Sequence, residues 1–475
     1  MKRRAPPRLA LPATRLPSPP LLPAWLPPTL LLPALLLSAL LLAAAGCQDK
    51  AVNLQSQVGP QPVLPEPQQG LLPDMKVAKV VGWADGEKPA VAPGLQVEAL
   101  ATGLQNPRNI HVLPNGDVLV VEARSPDMRP RTRPKDFVKE WIMSFAHGDG
   151  QTGTKGGANG ADNKSNRITL LRDADGDGVP ELRSIFLVKL FSPFGVALVD
   201  QDLYVANADA IVRYPYATGQ TSITAPGQTL LPLSGGEVEH HWTKSLLASP
   251  DGERLYVSLG SNSNIAERGM EAEKGRAAIW EVDRASGRAR IFASGLRNPN
   301  GLSFEPVSGA LWAVVNERDE LGPNLVPDYM TAVRDGGFYG WPYSYWGGHV
   351  DPRVMPQRPD LVARAIVPDY SLGSHVAPLG MAFYTGDSLP QLYHGGAFVG
   401  EHGSWNRDDY VGYKVVFVPF NNGRPSGKAQ DVVTGFLNDK GEARGRPVGV
   451  AIDRSGALLV ADDVGGAVWR VTAAR

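Results

Sequence analysis

The chain has 475 residues, 52 of them glycine and 42 proline, with a formal net charge of −1. A balance so close to neutral offers no broad basic field for nucleic acid, and turn-forming residues spread along the whole length suit many short strands. Cys47 is the only cysteine, which excludes a disulfide within the chain.

The N-terminal region carries Lys2, Arg3, Arg4, Arg8 and Arg15, then an apolar run from Thr29 to Ala45 that closes on Ala44-Ala45-Gly46-Cys47. A basic stretch, an apolar stretch and small residues before a cysteine read as an export signal. Cys47 is then the expected lipidation site of a bacterial lipoprotein, which would hold the protein on a membrane facing the periplasm or another extracytoplasmic space. An uncleaved membrane anchor is the alternative, because the apolar run is at the short limit for a spanning helix. Residues 48–93 are rich in Pro, Gln and Val and are expected to form an extended tether. Residues 94–475 are the expected folded domain.

Within that domain one pattern recurs: a short apolar strand, a turn with Gly or Asp, and a second apolar strand. The copies begin at Pro107, Pro193, Thr243, Pro299, Pro378 and Pro447. Turns such as Pro-Asn-Gly-Asp and Pro-Asp-Gly-Glu mark hairpins. Third strands are expected at Asn166–Arg172, Ala210–Tyr216, Ala278–Asp283, Tyr413–Phe420 and Ala467–Val471, and a fourth strand at Ala289–Gly295. Six copies spaced by 50–86 residues predict an all-β fold: a six-bladed β-propeller of four-stranded blades. The orphan segment Gly94–Leu104 would close the last blade as its outer strand. A sandwich plus an extra domain is the competing architecture. Two long insertions interrupt the pattern: Arg124–Lys164, with a short helix expected at Pro134–Ala146, and Asn316 to about Ser374. Long loops are where propellers carry function.

Candidate chemistry gathers where the copies begin. His241 stands just before the third copy, with His240 beside it and Glu237 and Glu239 preceding; a neutral histidine at a channel mouth suits a general base. A surface pair of histidines in a polar loop is the plain alternative. Arg297-Asn298 opens the fourth copy, and Arg444 and Arg446 open the sixth. Three arginines at one end of a channel suit a ligand with several carboxylates or phosphates. In the fourth-copy insertion, Glu317, Asp319, Glu320 and Asp328 with the Gly322-Pro323 turn offer oxygen ligands for a hard cation such as Ca²⁺. Tyr339, Trp341 and Trp346 add aromatic faces. Asp173, Asp175 and Asp177 have the spacing of the start of a Ca²⁺ loop. Ser184 stands where that loop's bidentate glutamate would be, so a tight acidic hairpin turn competes with a metal site.

The segments HHWTKSLLASPDG, LRNPNGLSFEP, GGFYGWP, HVAPLGMAFY beginning at His375, and RGRPVGV, in this order, resemble the soluble PQQ-dependent aldose dehydrogenases. LFSPFGVAL, NERDELGP and GEHGSWNR are most similar to the sorbosone dehydrogenase branch. The resemblance spans nearly all of residues 94–475. It implies a PQQ- and Ca²⁺-dependent oxidation of a sugar or sugar aldehyde, with electrons passing to a respiratory acceptor, a cytochrome or quinone. It assigns His241 as the base and puts Arg297 and Asn298 on the quinone oxygens. Arg444 and Arg446 fall on the cofactor carboxylates, His240 and His375 in the cofactor's surroundings, and Ca²⁺ on carbonyls at Gly322 and Pro323 near Asp328. The family's fifth-blade lysine is missing; Arg407 or His402 stands in that region. Tyr329 replaces a glutamate that binds a second Ca²⁺ in some members. A metal-dependent propeller hydrolase or lactonase, and a non-catalytic carbohydrate-binding propeller, are the competing functions.

Overall fold

The computed structural model describes residues 54–70, 74–126, 165–233 and 241–474. The expected lipidation site Cys47, the helix at 134–146 and His240 lie outside the described residues. Every copy of the repeat becomes the first two strands of a four-stranded antiparallel blade. Blade 1 comprises Pro107–Val112, Val118–Glu122, Arg167–Arg172 and Leu182–Leu187. Blade 2 comprises Gly195–Val199, Asp202–Ala206, Ala210–Pro215 and Gln228–Pro232. Blade 3 runs through Leu246–Ala248, Arg254–Leu259, Ala278–Asp283 and Ala289–Ser294. Blade 4 uses Asn298–Phe304, Leu311–Asn316, Pro327–Ala332 and Tyr370–Ser374. Blade 5 uses Pro378–Phe383, Gly396–Glu401, Lys414–Asn421 and Gln430–Thr434. In blade 6, Pro447–Ile452, Leu458–Asp462 and Ala467–Ala473 are completed by Leu95–Ala101, which pairs antiparallel with Ala467–Ala473. The six-bladed propeller and its closure by the N-terminal strand follow the sequence pattern.

The first strands pack against one another in cyclic order around a central channel. Their sequences explain how six backbones come so close. Four copies begin Pro-x-Gly, and each glycine sits against the first strand of the next blade. A Cβ on Gly301 would stand 2.8 Å from Met381 N, and one on Gly449 would stand 2.8 Å from Asn109 Cα. At Gly195 and Gly380 it would strike the backbone at Leu246 and Val448 outright. Between blades, apolar layers fill the gaps. Trp312 of blade 4 meets Phe383 and Phe420 of blade 5 edge-on at 6.3 and 5.0 Å, and burial of such a side chain stabilises by about 1.5–3 kcal/mol.

Two expectations need correction. The stretch from Asn316 to Ser374 is not an insertion outside the repeat. It contains the third and fourth strands of blade 4, and Gly337–Phe338 adds in parallel to the edge of blade 3. The low apolar periodicity of the intervening loops hid both strands. Residues 54–70 and 74–93, expected as part of an extended tether, are held against the blades. Gly59 bridges Ser371, Gln68 N donates to Leu321 O, Lys76 N donates to Trp405 O, and Ala90–Val91 pairs with Thr434 and Val433 on the edge of blade 5. The segment is a strap laid across blades 4, 5 and 6.

Candidate active site

Among the described residues, His241, Arg297, His375, Arg444 and Arg446 lie on segments that enter a first strand, and Glu317, Asp319, Glu320, Gly322, Pro323, His402 and Arg407 on segments that leave a second strand, so these share one end of the channel. Below them the channel holds a cavity of about 240 Å³ lined by every blade, through Asn109, Val196, Leu246, Leu302, Met381 and Val450.

His241 is anchored by its ring. Nδ1 lies 2.8 Å from the Ser261 carbonyl oxygen and 3.1 Å from Ser261 Oγ. A carbonyl can only accept, so Nδ1 carries the proton and the lone pair is on Nε2, the form a general base needs. The loop beneath is braced: buried Arg276 donates to Gly260 O at 2.7 Å and to His241 O at 3.2 Å, and buried Lys244 donates to Trp242 O at 2.9 Å. Asn298 is the neighbour of His241, since a Cβ at Gly260 would press on both side chains. Asn298 Oδ1 is buried without a hydrogen-bond partner, a cost that a bound donor would remove.

Arg446 and Arg108 form the cationic part of the mouth. The Arg446 guanidinium lies 4.8 Å over the Tyr413 ring and has no hydrogen-bond partner among the described residues. Arg108 pairs with Asp463 and sits 5.5 Å over the Trp242 ring. His402 Nε2 is 3.1 Å from the same Asp463 carboxylate. Burial opposes the charge on Asp463, but His402 and the Arg108 guanidinium outweigh it and hold the carboxyl well below the usual range. The guanidinium groups of Arg446 and Arg108 offer charge-assisted hydrogen bonds to an anion.

The other arginines do different work from that expected. Every nitrogen of Arg297 is engaged inside the protein, with Asn264 O and Oδ1, Asn316 O, Glu317 O and Asp319 Oδ2, so it braces blades 3 and 4 instead of facing a quinone. Arg444 turns to the strap, 3.2 Å from Glu87. Arg407 donates to Pro323 O, Ser374 O and Asn324 Oδ1 and pairs with Asp409. His375 Nε2 lies 3.2 Å from Gly322 O and 3.1 Å from Leu325 O.

These contacts bear on Ca²⁺. The carbonyls expected to bind it at Gly322 and Pro323 face His375 and a buried guanidinium, and a divalent cation there would stand against Arg407. Both Asp328 oxygens accept backbone hydrogen bonds, Oδ1 from Glu317 N at 2.7 Å and Oδ2 from Ala377 N at 2.8 Å, and burial pushes its carboxyl up to about 7. As folded, these residues do not fit a metal. Among the described residues one acidic group has carboxylate oxygens close enough to hold an ion. It is Asp173, Asp175 and Asp177 with Glu181, all within 4.8 Å of one another on the exposed loop between the outer strands of blade 1. Glu181, not Ser184, completes that group; Ser184 Oγ instead donates to Thr221 O.

Sequence reasoning missed Arg108, Trp242, Lys244, Arg276 and Asp463. Arg108-Asn109 repeats the Arg297-Asn298 dipeptide at the entrance of another blade, a signal that was present. Arg276 lies far along a loop and had no such mark.

A family model described as TrAA12-like matches residues 169–330 and 362–474. The chain is 27% identical over 307 residues to an uncharacterized protein of Borreliella burgdorferi, covering 62% of this chain and 79% of that one. A stretch of 111 residues is 33% identical to the aldose sugar dehydrogenase YliI of Escherichia coli, covering 23% of this chain and 28% of the relative. A stretch of 242 residues is 27% identical to the pyrroloquinoline quinone-dependent pyranose dehydrogenase of Coprinopsis cinerea, covering 42% and 32%. The matches therefore span less than a third of either sugar dehydrogenase. In fold, the chain is similar to the holo PQQ domain of that Coprinopsis enzyme, with a TM-score of 0.63 and 20% identity over 84% of this chain and 100% of the other. The calcium structure of the Trichoderma reesei family AA12 enzyme gives 0.64 and 19%, over 84% and 99%.

Proposed function

The chain belongs to the TrAA12-like family, and from that premise we propose that it oxidises sugars or sugar aldehydes, sorbosone-type substrates among them, using PQQ. The observation that carries the reading is the pairing of a tautomer-fixed His241 with an unmatched guanidinium at the same channel mouth. PQQ fits what the mouth offers: its carboxylates would meet the guanidinium groups of Arg446 and Arg108, which lie over Tyr413 and Trp242. When bound, the cofactor supplies a two-electron acceptor for hydride.

The chain's own residues take these parts in the proposed reaction. His241 Nε2 takes the proton of the substrate hydroxyl as the C–H hydride leaves, and the Ser261 carbonyl stabilises the imidazolium by keeping Nδ1–H bonded. Arg276 and Lys244 keep the His241 backbone in place. Arg446 and Arg108 orient the anionic end of the cofactor. No step is routed through Ca²⁺. Electrons leave to a respiratory cytochrome or quinone outside the cytoplasm, and Cys47 carries the lipid that keeps the enzyme at the membrane. Unchanged membrane fractionation of Cys47→Ser would contradict that placement. The function is tested by dye-linked turnover of aldoses and sugar aldehydes with and without added PQQ. Turnover that appears only with PQQ supports the reading, and none with either overturns it.

A further inference from the structure

The strap sends one side chain into the loops of blade 6. Trp83 Nε1 donates to Asp462 Oδ2 at 2.7 Å. Asp462 is fully buried. Its Oδ1 accepts from Arg446 N at 2.7 Å and Gly465 N at 2.8 Å, and its Oδ2 also accepts from Trp469 Nε1 at 3.2 Å. The strap thus reaches, through one carboxylate, the backbone of the arginine in the mouth.

The surrounding sequence is built around this contact. A Cβ on Gly445 would collide with the Asp462 carboxylate. A Cβ on Gly465 would collide with the same carboxylate and come 2.5 Å from Trp83 Nε1. The strap is gripped on both sides of the indole. Val81 N donates to Ala443 O at 2.8 Å, and Ala443 N donates to Lys79 O at 2.7 Å. Glu87 pairs with Arg444 at 3.2 Å, and Trp83 meets Trp469 and Phe436 edge-on at 5.3 and 5.7 Å. In Arg444-Gly445-Arg446 the first arginine holds the strap, the glycine admits Asp462, and the second arginine faces Tyr413.

We propose that Trp83 is a positioning residue: acting through Asp462, it fixes the Arg446 backbone and so pre-orients the guanidinium that receives the cofactor's anionic end. The strap is then a part of the site. This rests on the PQQ reading above. A cation already held in place loses less freedom on binding, whereas removing the indole N–H leaves a buried carboxylate short of a donor and the loop 443–447 less constrained.

The test is a calorimetric titration of apoprotein with PQQ for wild type, Trp83→Phe, Arg446→Ala and the double variant, each with its melting temperature. Phenylalanine keeps the aromatic contacts and removes only the donor. We expect Trp83→Phe to weaken PQQ binding about tenfold and to add nothing in the Arg446→Ala background, the coupling expected of residues that act in series. If Trp83→Phe does not fold, Asp462→Asn replaces it in the same cycle. Wild-type affinity in Trp83→Phe, or an equal loss in both backgrounds, overturns the inference alone. A wild-type protein that takes up no PQQ overturns the cofactor reading and the inference with it.

Discussion

Nδ1 of His241 lies 2.8 Å from the carbonyl oxygen of Ser261, and this one bond decides which ring nitrogen can act as a base. His241→Ala should cut turnover by about 10²–10⁴-fold and leave PQQ affinity within a few-fold of wild type. His241 alone is assigned the role of base, so His240→Ala should be much milder. Dye-linked rates at saturating PQQ measure both. Retention of most activity in His241→Ala would exclude it as the base.

Arg444 and Arg446 separate two roles that sequence alone joined. Arg446→Ala leaves a cofactor carboxylate unpaired and should cost about 2–5 kcal/mol of PQQ binding. Arg444 pairs with Glu87 on the strap while half-exposed, so Arg444→Ala acts on strap attachment and should change affinity less. Equal losses in the two variants would return Arg444 to the mouth.

Metal removal is a third test. Gly322 O and Pro323 O face His375 and Arg407, so treating the apoprotein with a chelator should leave PQQ affinity unchanged. Loss of affinity restored by Ca²⁺ would show that these carbonyls turn to a metal when cofactor binds.

Glu401 links pH to stability. Its carboxyl is buried, with Oε2 unpartnered, and burial pushes it up to about 8. An acid whose folded value is raised binds its proton more tightly folded than unfolded. Stability is therefore greatest below the ordinary carboxylate range near 4.5 and falls as pH rises towards about 8. Glu401→Gln mimics the protonated side chain. It should raise the melting temperature at pH 8–9 and change it little at pH 5. The same gain at both pH values would contradict the assignment.

The fold was legible because the same strand–turn–strand pattern returns in all six blades. Leu95–Ala101 was legible as the closing strand because a ring leaves one outer strand unpaired. The strap was not, because its attachment relies on backbone hydrogen bonds and a few side chains such as Trp83, which leave no periodicity. Within the site, His241, Asn298 and Arg446 could be found from their places before first strands. Arg297 shares that place yet turns inward, because Asn264 and Asp319 on neighbouring loops capture it, and spacing along one blade does not encode which loop lies across from it.

In the proposed reaction, sugar reduces a quinone held at this mouth. The most direct measurement is the absorbance spectrum of PQQ-loaded protein, freed of excess cofactor and kept without oxygen, as aldoses or sugar aldehydes are added with no dye present. The cofactor should stay with wild-type protein, and its oxidised spectrum should convert to the reduced one on sugar addition, with conversion slowed in His241→Ala. PQQ that washes away from wild type, or a bound oxidised spectrum that no sugar changes, would contradict it.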